Sequence, residues 1–158
     1  MGPQTLPAET DISTDRPFTG DYLLYLLAQA SAAASNDFHA DIAALGVSVP
    51  KWRILASLHP FGRMTIGQLA KECLQKQPTL TRIVDRLEQD GLVRRSPSLS
   101  DRREVQVSLT DKGRELSTGL VDRARHHEAA ILHDYGPEEI EILKETLRVL
   151  IRRTSSTD

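Results

Sequence analysis

Apolar residues recur along this chain with a helical period through most of its length, and with a two-residue period in one short stretch. From about Thr19 to Leu45, the residues Leu23, Leu27, Ala34, Phe38, Ile42 and Leu45 fall three, four or seven apart, which sets them on one helix face. Gly46 is a stop signal, and Pro50 suits the first turn of a second helix. In that helix Trp52, Leu55 and Leu58 face inward, and it ends at His59-Pro60-Phe61-Gly62. Thr65-Ile66-Gly67-Gln68 reads as a capping box opening a short helix, with Ile66, Leu69 and Ala70 inward and Leu74 in the turn. A further helix begins near Lys76, tolerates Pro78 in its first turn, buries Leu80, Ile83, Val84 and Leu87, and stops at Gly91.

The period then changes. Leu92 and Val93 lead into Arg94-Arg95, and Val105, Val107 and Leu109 alternate with Glu104, Gln106 and Ser108, as in a half-buried strand. Ser96 to Arg103 is the polar hairpin tip. Thr110-Asp111 caps a long helix with Leu116, Leu120, Val121, Ala124 and Ile131 on one side. Tyr135-Gly136 breaks it, and Pro137-Glu138-Glu139 starts another, where Ile140, Leu143, Leu147 and Leu150 form a seam for a partner helix. The predicted fold is mainly α with a small β-hairpin wing. Its winged helix-turn-helix lobe spans residues 49–109. Residues 18–48 and 110–153 form a helical dimerisation region, and residues 1–17 a flexible arm. The two terminal stripes exceed what so small a lobe can cover, and a second copy of the chain is the simplest cover.

Composition narrows the function. Aromatic residues are 4% of the chain, so the core rests on Leu, Ile, Val and Ala. No apolar run reaches bilayer length and the N-terminus lacks a signal-peptide pattern, so no membrane is expected and the setting reads as cytoplasmic. One cysteine rules out an intrachain disulfide. Net charge is −2, yet Lys51 to Leu109 carries 11 basic and 6 acidic residues, a net of +5 between acidic flanks. A basic middle marks a surface for a polyanion. The exposed edge of the fourth helix carries Gln77, Thr79, Thr81, Arg82 and Arg86, and the hairpin tip carries Asp101, Arg102 and Arg103. Forked cations suit phosphate and guanine, while amides and hydroxyls suit base edges. Arg86, Arg94 and Arg95 read as phosphate or structural groups, and Arg82 has the alternative of pairing with Asp85 or Glu88.

Other chemistry is less well supported. Cys73 reads as a small buried apolar residue, with redox sensing as the alternative. His126 and His127 are adjacent and point to different helix faces, which suits no shared metal ion; a metal-responsive site through His39 is a weaker alternative, and His127 is expected to pack near Ala124 and Ile131. No phosphate loop or nucleophile elbow is present, so neither an enzyme nor a cofactor is expected. A winged helix used only for protein contacts is the rival reading, but it has no need to concentrate Arg at both helix and wing.

Three segments together resemble the MarR family of transcriptional regulators: T-I-G-Q-L-A-K-E, Q-P-T-L-T-R-I-V-D-R-L-E-Q-D-G-L-V-R-R, and S-D-R-R-E-V-Q-V-S-L-T-D-K-G-R-E-L. The resemblance runs from about Thr19 to Arg153. It implies a homodimer whose terminal helices interlock, two winged helices on an inverted-repeat operator in double-stranded DNA, and repression relieved by a small molecule, often a phenolic or aromatic acid. It implies that Arg103 enters the minor groove while Asp101 braces the lobe. Gln77, Thr79, Thr81 and Arg82 match positions presented to the major groove and its phosphates. The effector is expected between the first helix, the helix at Pro50 and the helix after Thr110, with Tyr25, Ser31, His39, Trp52 and Arg53 as candidate contacts. Arg53 or His39 suits a carboxylate, and Trp52 suits either an aromatic ring or plain core packing.

Overall fold

The computed structural model describes residues 17–98 and 104–155. Two compact units divide the chain between Asp37 and Phe38. In the first, α1 (Phe18–Asp21) is a single turn with the Phe18 and Tyr22 rings stacked at 4.9 Å, and α2 (Leu23–Ala44) follows. The break at Tyr22, which is extended, was not expected from the apolar pattern. Leu23, Leu24 and Leu26 are each about half exposed, and no residue from 17 to 37 is buried.

The second unit holds the core. Phe38 and Ile42, on the last turns of α2, are buried there. Leu45, assigned to the same stripe, is instead 49% exposed, because Gly46 turns the chain before the helix face returns inward. Helix α3 (Val49–Phe61) is capped by Ser48, whose hydroxyl accepts from Lys51 N–H, and buries Ile54, Leu55 and Leu58. Trp52 is half-buried, with its ring edge-on to Phe38 at 5.2 Å. The half-buried His127 ring lies 5.5 Å from that of Phe38.

Then come β1 (Arg63–Thr65), α4 (Ile66–Glu72), α5 (Gln77–Gln89), β2 (Val93–Pro97), β3 (Val105–Leu109), α6 (Asp111–Ile131) and α7 (Pro137–Ser155). The sheet is antiparallel in the order β1-β3-β2. Strand β1 has no counterpart in the sequence reading: three residues show no alternation, and their partners, Ser108, Val107 and Gln106, lie more than forty positions downstream. The hairpin pairs Val93 with Leu109 through to Pro97 with Val105.

Helix α6 is docked by a close approach. Thr110 caps it by accepting from Gly113 N–H, donates its hydroxyl to the Gly91 carbonyl, and its own N–H reaches the Leu92 carbonyl. Gly113 faces that carbonyl so closely that a Cβ there would collide with it. Leu120 and Ser117 of α6 are buried; Ser117 donates to the Arg114 carbonyl, which leaves it to accept from His59 Nδ1 of α3 at 3.0 Å. Among the described residues of α7 none is buried, while Leu143, Ile142 and Ile151 are exposed. No described helix is long and apolar enough to cross a membrane.

Candidate nucleic-acid interface

Helix α4, its turn and α5 are held by local chemistry. The capping box is formed: Thr65 Oγ1 accepts from Gln68 N–H at 3.2 Å, and Gln68 Oε1 accepts from Thr65 N–H at 2.8 Å. The turn closes with Gln75 N–H on the Ala70 carbonyl and Leu74 N–H on that of Lys71, which places Leu74 at φ +54°, in the left-handed region. Gly91 closes α5 in the same geometry at φ +71°, where a residue without Cβ meets no steric cost.

Helix α5 is the most strongly two-faced element of the lobe. Leu80, Val84 and Leu87 are fully buried, and Gln77, Thr79, Thr81, Arg82 and Arg86 are all exposed on the other side. All five predicted helix residues are exposed. The Thr81 hydroxyl donates back to the Gln77 carbonyl at 2.9 Å, so toward a ligand it presents acceptor lone pairs. Gln77 folds back over the start of α4; a Cβ on Gly67 would lie 3.1 Å from its amide nitrogen. Gly67, which the sequence reading passed over, leaves room for that side chain. Two shallow grooves flank Gln77: one is lined by Thr65, Ile66, Gly67, Glu104 and Val105, the other by Gly67, Gln68, Lys71 and Gln75.

The acidic residues of α5 are not paired with Arg82. Arg95 of β2 takes both: its guanidinium reaches Asp85 at 2.7 Å and Glu88 at 2.8 Å. The alternative of an Arg82 ion pair with Asp85 or Glu88 is thus not realised among the described residues, and Arg95 holds both carboxylates instead. Arg94 Nε donates across the hairpin to Ser108 Oγ at 3.2 Å. Where α5 ends, Lys51 of α3 donates to Asp90 at 2.9 Å, and this hydrogen bond holds the Asp90 carboxyl below the usual carboxylate range. Lys112 of α6 donates to the Asp90 carbonyl. The wing is closed at its base by Ser98 N–H on the Glu104 carbonyl. The predicted wing residues Asp101, Arg102 and Arg103 lie outside the described residues.

The candidate effector residues are divided between the units. Tyr25, which accepts from Gln29 at 2.9 Å, and Ser31 are exposed in the first. In the second, His39 is half-buried with its ring 6.3 Å from Phe38, Trp52 packs against the core, and Arg53 is exposed. Trp52 thus has the core packing that was its alternative role. Cys73 is buried beside Ser57, and burial pushes its thiol up, away from the reactive thiolate.

Comparison with known proteins agrees with this geometry. The model of the MarR family matches residues 47–105. The chain is 31% identical over 103 residues to the HTH-type transcriptional repressor IacR of Pseudomonas putida; the match covers 65% of this chain and 62% of that protein, so it spans less than two thirds of that relative. The crystal structure of the MarR family transcriptional regulator SPO1453 from Silicibacter pomeroyi DSS-3 superposes with a TM-score of 0.78 at 42% identity, covering 88% of this chain and 99% of that one. NadR in complex with 4-hydroxyphenylacetate superposes with a TM-score of 0.74 at 28% identity, covering 95% and 97%.

Proposed function

The chain belongs to the MarR family of transcriptional regulators, and on that premise we propose that it is a ligand-responsive repressor. It binds an inverted-repeat operator as a homodimer and lets go when a small anionic aromatic compound binds. The observation that carries the DNA reading is the exposed face of α5, with two unpaired arginines among the described contacts, an amide and two hydroxyls on a helix anchored by three fully buried residues. A helix of about four turns fits a major groove about 12 Å wide. Arg103 of the wing reaches the minor groove, where A·T-rich sequence concentrates negative potential, with Arg102 as a further DNA contact, while Asp101 braces basic residues of the lobe. Most such contacts go to phosphate, and Arg86 belongs with that set.

The domain roles follow. Residues 49–109 are the DNA-binding lobe, and 18–48 with 110–153 dimerise. The exposed apolar side chains of α7 and of the start of α2 support this, since a second copy removes them from water. The effector reading draws support from NadR, which has been crystallised with 4-hydroxyphenylacetate. In the second unit, Arg53 or His39 suits the effector's carboxylate. We place the activity in the cytoplasm, with double-stranded DNA and a second copy of the chain as partners. The test is fluorescence anisotropy with the chain's own upstream DNA. Arg82→Ala is expected to weaken binding by about 1–3 kcal/mol, the scale of one good base-edge contact. An unchanged affinity at equal salt contradicts the α5 reading.

A further inference from the structure

Arg95 sits on β2, between the wing and α5, with one side chain serving three acceptors. Nη1 reaches Glu88 Oε2 at 2.8 Å, Nη2 reaches Asp85 Oδ1 at 2.7 Å, and Nη2 also donates to the Thr81 carbonyl at 3.3 Å. The Arg95 backbone N–H donates to the second Glu88 oxygen at 2.9 Å, so both oxygens of that carboxylate are held from the same residue. The Arg95 side chain is 24% exposed, less than either acid it holds. Both terminal nitrogens are committed to protein acceptors, and one cation faces two carboxylates.

Without this arrangement the polar face of α5 works against itself. Asp85 lies three positions after Arg82, a spacing that favours an ion pair on the helix surface. Such a pair draws the guanidinium away from DNA, and two free carboxylates repel phosphate. We propose that Arg95 is a positioning residue for DNA recognition: it withdraws Asp85 and Glu88 from the reading face, leaves Arg82 and Arg86 available, and fixes the angle of α5 to the wing. A guanidinium suits this task because its planar fork spans two acceptors at once, which a lysine ammonium does not. The role rests on the DNA-binding reading above.

The test measures operator affinity across a salt series for Arg95→Met in two backgrounds, wild type and Asp85→Asn/Glu88→Gln. In the wild-type background the loss is expected to be about tenfold or more, the scale of a lost charge-assisted contact. In the neutralised background the same substitution is expected to cost little, because there are no carboxylates left to withdraw. The salt slope is expected to stay at its wild-type value, whereas losing a phosphate contact lowers it by about 1. Arg95→Lys keeps the charge without the fork and is expected to fall between the two. Equal losses in both backgrounds with a reduced slope make Arg95 a phosphate ligand and overturn the proposal. So does full wild-type affinity for Arg95→Lys. If the wild-type protein itself binds its operator no better than scrambled DNA, the DNA reading falls, and this role with it.

Discussion

Leu74 is a bulky residue at φ +54° in the turn between α4 and α5, and its side chain is 80% exposed. The turn needs a left-handed residue, and leucine contributes no packing in return. Leu74→Gly is expected to stabilise the fold by about 0.5–1 kcal/mol, the αL penalty of roughly 1–2 less the chain entropy of glycine. Urea titration of the two proteins checks this, and a less stable variant contradicts it. Gly113 makes the opposite case. Any side chain there meets the Leu92 carbonyl, so Gly113→Ala is expected to cost roughly 1–3 kcal/mol, as overpacking does. The residue-scale contacts that sequence alone did not show have one physical cause. Gly67 matters because of where Gln77 folds, and Arg95 because Asp85 and Glu88 come from another element. A contact between distant positions leaves no period in the chain.

Elements were legible where a local rule produced them. The capping box at Thr65, the glycine stop of α5 and the Leu80-Val84-Leu87 stripe all follow from spacings of three or four. Strand β1 was not, because its three residues are strand only through pairing with β3. Two predictions belong to this scale. The wing reading requires that Arg103→Ala lower operator affinity by roughly 1–3 kcal/mol with little change in thermal stability, since one tip contact is lost. An unaltered binding isotherm at matched salt sinks it. The tie between α3 and the end of α5 is acid-sensitive. Lys51 lowers the Asp90 pKa on folding, so its stabilisation is present above the unfolded value of about 3.9 and is lost as pH falls through the lower folded value. Asp90→Asn is therefore expected to flatten the acid limb of the stability profile below about pH 4 without changing its shape near neutrality. An acid limb identical to wild type counts against the tie.

At the scale of the molecule, the charge layout and the apolar faces point in the same direction. The basic excess falls between Lys51 and Leu109, the stretch that carries α5 and the hairpin. Many of the exposed large apolar residues among those described fall on α1, the start of α2 and α7, with others such as Phe61, Leu74 and Val105 scattered over the lobe. Leu147→Asp on α7 is expected to weaken self-association and, with it, operator binding, because half-sites about one helical turn apart need both lobes. Light scattering that shows a stable folded monomer for the wild type removes the basis for this. Periodicity and charge point to this arrangement, whereas the effector residues are expected only from the family resemblance. No spacing rule joins Tyr25 to Arg53.

The central claim is that the chain reads DNA as a dimer through α5. Its most direct measurement is the stoichiometry and specificity of binding to the upstream region of its own gene, by sedimentation with labelled DNA against a scrambled fragment of equal length. Two chains per operator are expected, with specific binding tighter than scrambled by about 10³-fold or more and steeply weakened by salt. Equal affinity for both fragments, or saturation by one chain, contradicts the account.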